Sequence, residues 1–231
     1  YRRLTGKAAL LPRWAFGYIQ SKERYETADE LIRTAAQFRD RGIGLDALVL
    51  DWMSWKGNLW GQKTFDQERF PDPASMISSL HEMDVHFMLS IWPNMSRECD
   101  NFREFQEKDM LLAGTDIYDA FRADAREVYW QQVSRGLFCH GVDAWWCDSS
   151  EPFTPEWGKS RKPLPEKMYQ DYVETASGSA PIEKANAYGY YHACGIWEGQ
   201  RGCSEKRVVN LTRNGYLGSQ KYGTILWSGD V

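Results

Sequence analysis

The chain has 231 residues, 42% of them hydrophobic and 26% charged, enough for one sizeable core. Its formal net charge is −4 without a Lys/Arg block, which argues against nucleic acid as a partner; no apolar run approaches a membrane span, and the Tyr1-Arg2-Arg3 start lacks the apolar stretch of a signal peptide. Five cysteines, an odd number without paired C-x-x-C spacing, fit neither a disulfide framework nor a zinc site; they read as reduced structural thiols, which favours a cytoplasmic setting without fixing the compartment.

Taken in order, Arg13–Gln20 reads as a first strand. Thr27-x-x-Glu30 is a capping box for a helix with Leu31, Ala35 and Phe38 on one face. Asp46–Asp51 is a second strand, apolar inside and acidic at its end. The loop Trp52–Pro71 is long for a strand-to-helix connection and rich in Trp and Gly, which marks it as functional. Asp72-Pro73 caps the next helix, which carries Met76, Leu80 and Met83. His86–Pro93 is a third strand, Asn94–Arg122 a polar insertion and Arg126–Leu137 a helix. Val142–Cys147 is a fourth strand, short, bulky and suited to burial on both faces. Prolines make Thr154–Pro165 a loop. Helices follow over Glu166–Ala176 and roughly Asn186–Gln200, then strands over Arg207–Arg213 and Thr224–Asp230.

Strands alternating with helices signal an α/β chain with a parallel sheet. No G-x-G-x-x-G or Walker A motif is present, so a (β/α)8 TIM barrel is preferred, here truncated to about its first six strands. Asp46 to Asp51 and Asp143 to Asp148 share a D-A-x-x-x-D frame, one acid at the bottom of the strand and one at the top. Asp51, Asp148 and Asp230 end strands two, four and six, and Arg213 ends strand five. Asp148 alone reads equally as a cap; with Asp230 it becomes half of a glycosidase pair, one acid attacking and the other protonating the leaving oxygen. Trp52, Trp92, Trp146 and Trp227 stand beside these acids, and indole faces suit sugar rings, although nucleobases also stack on them. His81-Glu82…His86 has i, i+5 spacing, so both histidines read as ordinary surface or strand-start residues. Cys147 reads as a buried small hydrophobe. Asn94 and Asn210 match the glycosylation pattern, the second inside a strand.

W-W-C-D-S-S-E-P-F (Trp145–Phe153) resembles the nucleophile segment of glycoside hydrolase family 31. Thr212–Asp230, Val49–Trp52, Ser90–Pro93 and Phe65–Pro73 resemble further segments of that family in its order. The resemblance implies retaining hydrolysis of α-glycosides, with Asp148 as nucleophile and Asp230 as acid, then base. It implies that Asp51 and Arg213 bind sugar hydroxyls, that Trp92 and Trp227 line the subsite, and that Glu151 holds the nucleophile loop. No metal or organic cofactor is implied. The family's flanking β domains and last two barrel strands have no counterpart here, so residues 1–231 are expected to be a partial catalytic barrel. Gly17–Tyr25 and Asp51–Trp55 look most like the α-xylosidase branch, where bulky Trp52 would disfavour a CH₂OH on the sugar. The alternatives are an α-glucosidase, a non-catalytic sugar-binding fragment, and a Schiff-base lyase, for which no strand-end lysine exists. An α-glycoside or oligosaccharide is the expected partner, and homo-oligomerisation of the full-length protein is left open.

Overall fold

A computed structural model describes residues 1–151 and 164–229. At its centre is a parallel sheet of β1 (Ile19–Lys22), β2 (Ala47–Leu50), β3 (His86–Ile91), β4 (Ala144–Cys147), β5 (Asn210–Thr212) and β6 (Thr224–Leu226), each bonded to the next in sequence. Parallel neighbours need crossovers, and helices provide most of them. A single turn, α1 (Arg2–Thr5), precedes the sheet. α2 (Ala28–Asp40) joins β1 to β2, and α3 (Pro73–Glu82) joins β2 to β3. α4 (Asp100–Glu107) and α5 (Ala123–Gly136) lead to β4, and α6 (Pro165–Ser177) and α7 (Tyr188–Cys203) lead to β5. Strand order never reverses as it does in doubly wound sheets, so the strands run like staves of a (β/α)8 TIM barrel.

The pleat divides the strand side chains between two cores. Leu48, Leu50, Phe87, Leu89, Ile91, Trp145 and Cys147 join the large core beneath the helices. Val49, Met88, Ala144, Trp146 and Val209 form a separate inner cluster with Ala15, on the barrel side. The split of Trp146 from Trp145 and Cys147 is the one that alternation predicts. Both helices are capped where expected: Thr27 Oγ1 accepts the Glu30 N–H at 3.2 Å, and Asp72 Oδ1 accepts the Ser75 N–H at 2.9 Å, while the Glu30 carboxylate of the expected capping box takes the Glu26 N–H at 2.7 Å.

The first strand departs from its predicted span. Arg13–Phe16 is a 3-10 turn, and β1 begins only at Ile19. The Asp46 carboxylate takes the Tyr18 N–H at 2.9 Å, and it lies so near Gly17 that a Cβ there would come within 2.1 Å of it. Pairing therefore starts at Ile19, opposite Ala47. The preceding Trp14 and Ala15 tuck under the barrel floor, Trp14 stacking on His86 with ring centroids 4.5 Å apart. Alternating Trp14, Phe16 and Tyr18 imitate a strand, yet Phe16 is 76% exposed. β5 and β6 are also shorter than predicted, because only Asn210–Thr212 pair on both sides. The helix expected from Asn186 begins instead as the 3-10 turn Ile182–Ala187 and becomes α7 at Tyr188.

The long loop between β2 and α3 is anchored by a buried lysine. Lys63 donates to the Gly61 carbonyl at 3.2 Å, and its Nζ lies 3.4 Å from Met95 Sδ and 4.4 Å from the Tyr129 ring centroid. Burial lowers its pKa from 10.5 to about 7. The unfolded chain keeps this proton up to about pH 10.4. Between those values the unfolded state binds more protons, so stability rises with pH; below pH 7 the cost of burying the ammonium is felt in full. Lys63→Met should therefore stabilise the protein at pH 7 by on the order of 1–3 kcal/mol. Melting temperatures across pH should show that gain shrinking towards pH 10, and an equal gain throughout would remove the charge as its cause.

Candidate active site

Register assembles the site. Ser90 pairs with Trp146 and Cys147 with Thr212, so the next inward positions, Trp92, Asp148 and Arg213, meet at the carboxyl ends of β3, β4 and β5. Asp148 still donates its N–H to the Ile91 carbonyl at 3.0 Å, which carries the ladder to the carboxyl end of the strand. Its Oδ1 accepts the Ser149 N–H at 2.7 Å and Arg213 Nη2 at 2.5 Å. Arg213 Nε donates to Glu151 Oε1 at 3.0 Å, and the guanidinium lies over the Trp146 ring, 5.3 Å from its centroid. The Asp148, Arg213 and Glu151 side chains are 11%, 9% and 19% exposed, so the group is largely out of water. Ser150 Oγ bonds Thr212 Oγ1 at 2.7 Å, and Asn214 Nδ2 donates to the Ser150 carbonyl at 2.9 Å. These contacts fasten the loop after β4 onto β5.

Burial raises the Asp148 pKa above its ordinary value; the Arg213 charge and the Ser149 N–H oppose this, and Glu151 adds to it. For Arg213, burial acts against the charge, but Asp148 and Glu151 outweigh it and hold the guanidinium firmly protonated. The result is a carboxylate that is fixed in place and incompletely compensated. Cys147, next in sequence, faces the helix layer, and burial drives its thiol far up, as expected of an inert core residue.

An aromatic wall stands beside this group. Trp92 packs edge-on against Trp60 at 4.6 Å and Trp55 at 6.4 Å, and Trp60 lies 5.8 Å from Trp52. Trp52 donates its N–H to Ser90 Oγ at 2.8 Å, and both Trp52 and Met53 hold left-handed backbone, φ 58° and 47°. Such conformations in bulky residues cost about 1–3 kcal/mol and need their surroundings to hold them. The buried indole Nε1 groups of Trp52, Trp60 and Trp92 have no hydrogen-bond partner among the described residues. Buried donors are rarely left so, and the oxygens of a ligand would satisfy them.

Asp51 follows β2 and lies beside Ser90, half-buried. Trp227 continues the ladder from β6 through its N–H to the Thr212 carbonyl at 2.9 Å, but is 51% exposed. Asp230 lies outside the described residues. Trp55, Trp60 and Ser90 are additions: the loop carrying the two tryptophans is legible as functional, but which of its residues meet Trp92 is a matter of loop path. The asparagines of both glycosylation patterns, Asn94 and Asn210, are buried.

Comparison with known proteins gives a consistent result. Residues 8–231 match the Glycosyl hydrolases family 31 TIM-barrel domain. An α-xylosidase of Saccharolobus solfataricus is 40% identical over 231 residues, covering 100% of this chain and 30% of that protein. An α-glucosidase of the same organism is 30% identical over 265 residues, with 100% of this chain and 37% of that protein covered. The crystal structure of a family 31 α-xylosidase from Xanthomonas citri superposes with a TM-score of 0.85 at 35% identity, over 100% of this chain and 26% of that one. The chain thus spans well under half the length of these relatives.

The raised pKa of Asp148 carries a stability consequence. Between the unfolded value of about 3.9 and the higher folded value, the folded state binds more protons, so this group's contribution falls as pH rises through that window. Asp148→Asn removes the charge and keeps the shape, leaving Glu151 to pair Arg213. Its melting temperature should exceed that of the wild type by a few degrees at pH 7, on the order of 1 kcal/mol, and converge with it near pH 4. A variant less stable at pH 7 would show that the Arg213 pair outweighs burial.

Proposed function

The chain belongs to glycoside hydrolase family 31, and on that premise we propose that it supplies catalytic-barrel residues to a retaining α-glycoside hydrolase that releases α-linked xylose from non-reducing ends. The observation that carries this reading is the buried Asp148 carboxylate, held by Arg213 and the Ser149 N–H at the carboxyl end of β4. A nucleophile that must attack one face of an anomeric carbon needs such fixing. In the first step Asp148 bonds to that carbon while Asp230 gives its proton to the leaving oxygen. In the second, Asp230 takes a proton from water, which displaces Asp148 and regenerates the carboxylate. Asp51 and Arg213 bind hydroxyls, Trp92, Trp146 and Trp227 border the sugar, and Glu151 keeps Arg213 and the nucleophile loop in place.

Xylose is favoured by Trp52. Its backbone is pinned by Ser90 and its ring lies against Trp60, in neither of the two hydrophobic cores, which supports the reading that its bulk faces the sugar's C5 substituent and disfavours the CH₂OH of glucose. The second reading, an α-glucosidase, draws on the Saccharolobus α-glucosidase, whose similarity also runs through the whole chain.

The roles are tested in the protein at its natural full length. Asp148→Ala should abolish turnover of every α-glycoside, by about 10⁴-fold or more. Asp230→Ala should spare aryl glycosides with activated leaving groups, and added azide should then yield a glycosyl azide. Equal loss on good and poor leaving groups would remove Asp230 from the acid role.

Specificity is tested separately. Trp52→Ala should shift the ratio of kcat/KM for aryl α-glucoside over aryl α-xyloside upward by about 10–100-fold, the worth of one pocket group. An unchanged ratio would place the discrimination elsewhere.

A further inference from the structure

Five-residue spacing denies His81 and His86 a common helix face, yet the fold brings their rings together. α3 ends at Glu82, the chain turns through Met83 and Asp84 (φ 53°), and β3 opens at His86. One imidazole closes a helix and the other starts a strand, so helical spacing does not set their distance. Asp143, at the foot of the adjoining stave β4, completes the group. Its Oδ2 lies 2.7 Å from His81 Nε2 and 3.5 Å from His86 Nδ1, and the three atoms are all within 4.8 Å of one another.

We propose that His81 Nε2, His86 Nδ1 and Asp143 Oδ2 form a binding site for a zinc-class divalent cation on the barrel floor, at the opposite end of the strands from Asp148. Two imidazoles and a carboxylate are the donor set of a borderline ion, whereas Mg²⁺ and Ca²⁺ take oxygen ligands. A tetrahedral ion with bonds of about 2.0–2.1 Å spaces its ligands roughly 3.3 Å apart. The His86–Asp143 distance of 3.5 Å is close to this; His81 has to withdraw from Asp143 by roughly half an ångström as the ion replaces the shared proton, and the two imidazole nitrogens, within 4.8 Å of each other, have to close to the same spacing.

Independent features support the site. His86 Nδ1 is buried without a hydrogen-bond partner among the described residues, its approach to Asp143 lacking hydrogen-bond geometry, and Trp14 stacked on the ring fixes its plane. Lys206 Nζ holds Asp143 Oδ1 at 2.8 Å and the Phe87 N–H reaches Oδ2 at 3.0 Å, so the carboxylate is oriented by its neighbours, as metal-bound carboxylates are. The two histidine side chains are 38% and 36% exposed, so the group lies near the surface of the floor although the His86 Nδ1 atom itself is covered. Bound there, the ion would tie the end of α3 to the feet of β3 and β4. It has no part in the chemistry at Asp148.

The test is a Zn²⁺ titration of the protein at its natural full length against a chromophoric zinc chelator. His86→Ala removes one donor and leaves the His81–Asp143 contact, and His86→Gln serves as a second variant should the first fold poorly. One equivalent of Zn²⁺ is expected to bind, Co²⁺ in its place should give the visible bands of a tetrahedral ion, and affinity should fall by about 100-fold or more in either variant. Glycosidase activity should be unchanged by the variants. Zinc held instead by the exposed thiols of Cys139 and Cys203 would survive both substitutions. Such survival, or no stoichiometric site in the wild type, overturns the proposal.

Discussion

Register between β3, β4 and β5 is the constraint on which the site depends. Trp146 opposite Ser90 and Cys147 opposite Thr212 place Trp92, Asp148 and Arg213 side by side on the inner face. A slip of one residue would turn Asp148 into the helix layer and bring Cys147 inward. Nothing near the rim has to prevent that slip. Trp145 and Cys147 are locked among Leu89, Ile91 and the helices on one side, and Trp146 with Met88 and Val209 on the other. A strand buried on both faces loses on either side by slipping, so the apolar residues of β4 set the position of its one acid.

The floor of the barrel adds a second registration device. Asp46 accepts the Tyr18 N–H at 2.9 Å and Asp143 accepts the Phe87 N–H at 3.0 Å. In each case the acid at the foot of one strand satisfies a backbone donor at the foot of the strand before it, a group that ladder pairing does not reach. The repeated D-A-x-x-x-D frame is therefore two structural statements in one motif: the first Asp fixes where pairing begins, and the second emerges at the top a set distance away. Asp143 is held well below the ordinary carboxylate range because the nearby His86 ring and the bonds from Lys206, Phe87 and His81 together overcome its burial. Its charge is consumed locally, whereas the charge of Asp148 is not.

Much of this was legible in the sequence, and the reasons for the misses are specific. Strands buried on both faces announce themselves as bulky apolar runs, so β2, β3 and β4 fell where expected, and the caps at Thr27 and Asp72 were readable from residue type alone. Arg13–Phe16 deceived because aromatic residues at every second position look like a strand whether they line a sheet or pack beneath one. His81 and His86 are the partly exposed helix residue and the strand-start residue expected, but that their rings meet was not legible, because helical spacing says nothing across a helix end. Trp60 was invisible as an individual because loop paths follow from contacts distant in sequence, such as the Ser96 N–H on the Trp60 carbonyl at 2.8 Å.

The distribution of unfavourable features locates the site without reference to any relative. Of the five left-handed non-glycine residues described, Asp84 and Asp109 lie just past helix ends, where short polar side chains tolerate that backbone. The other three, Trp52, Met53 and Ser149, follow β2 and β4, and no turn chemistry accounts for a tryptophan or a methionine there. Beside them sit three buried indole N–H groups without partners among the described residues and a carboxylate whose burial outweighs its compensation. Each is a local loss that a sequence shaped by stability alone would remove, and folded proteins have only about 5–15 kcal/mol to absorb such losses. On the floor, by contrast, Asp46 and Asp143 have their bonds made. Strained bulky residues, three of the unpartnered buried donors among the described residues and an undercompensated charge meet at one end of one sheet, which is the pattern expected where a bound ligand completes the contacts.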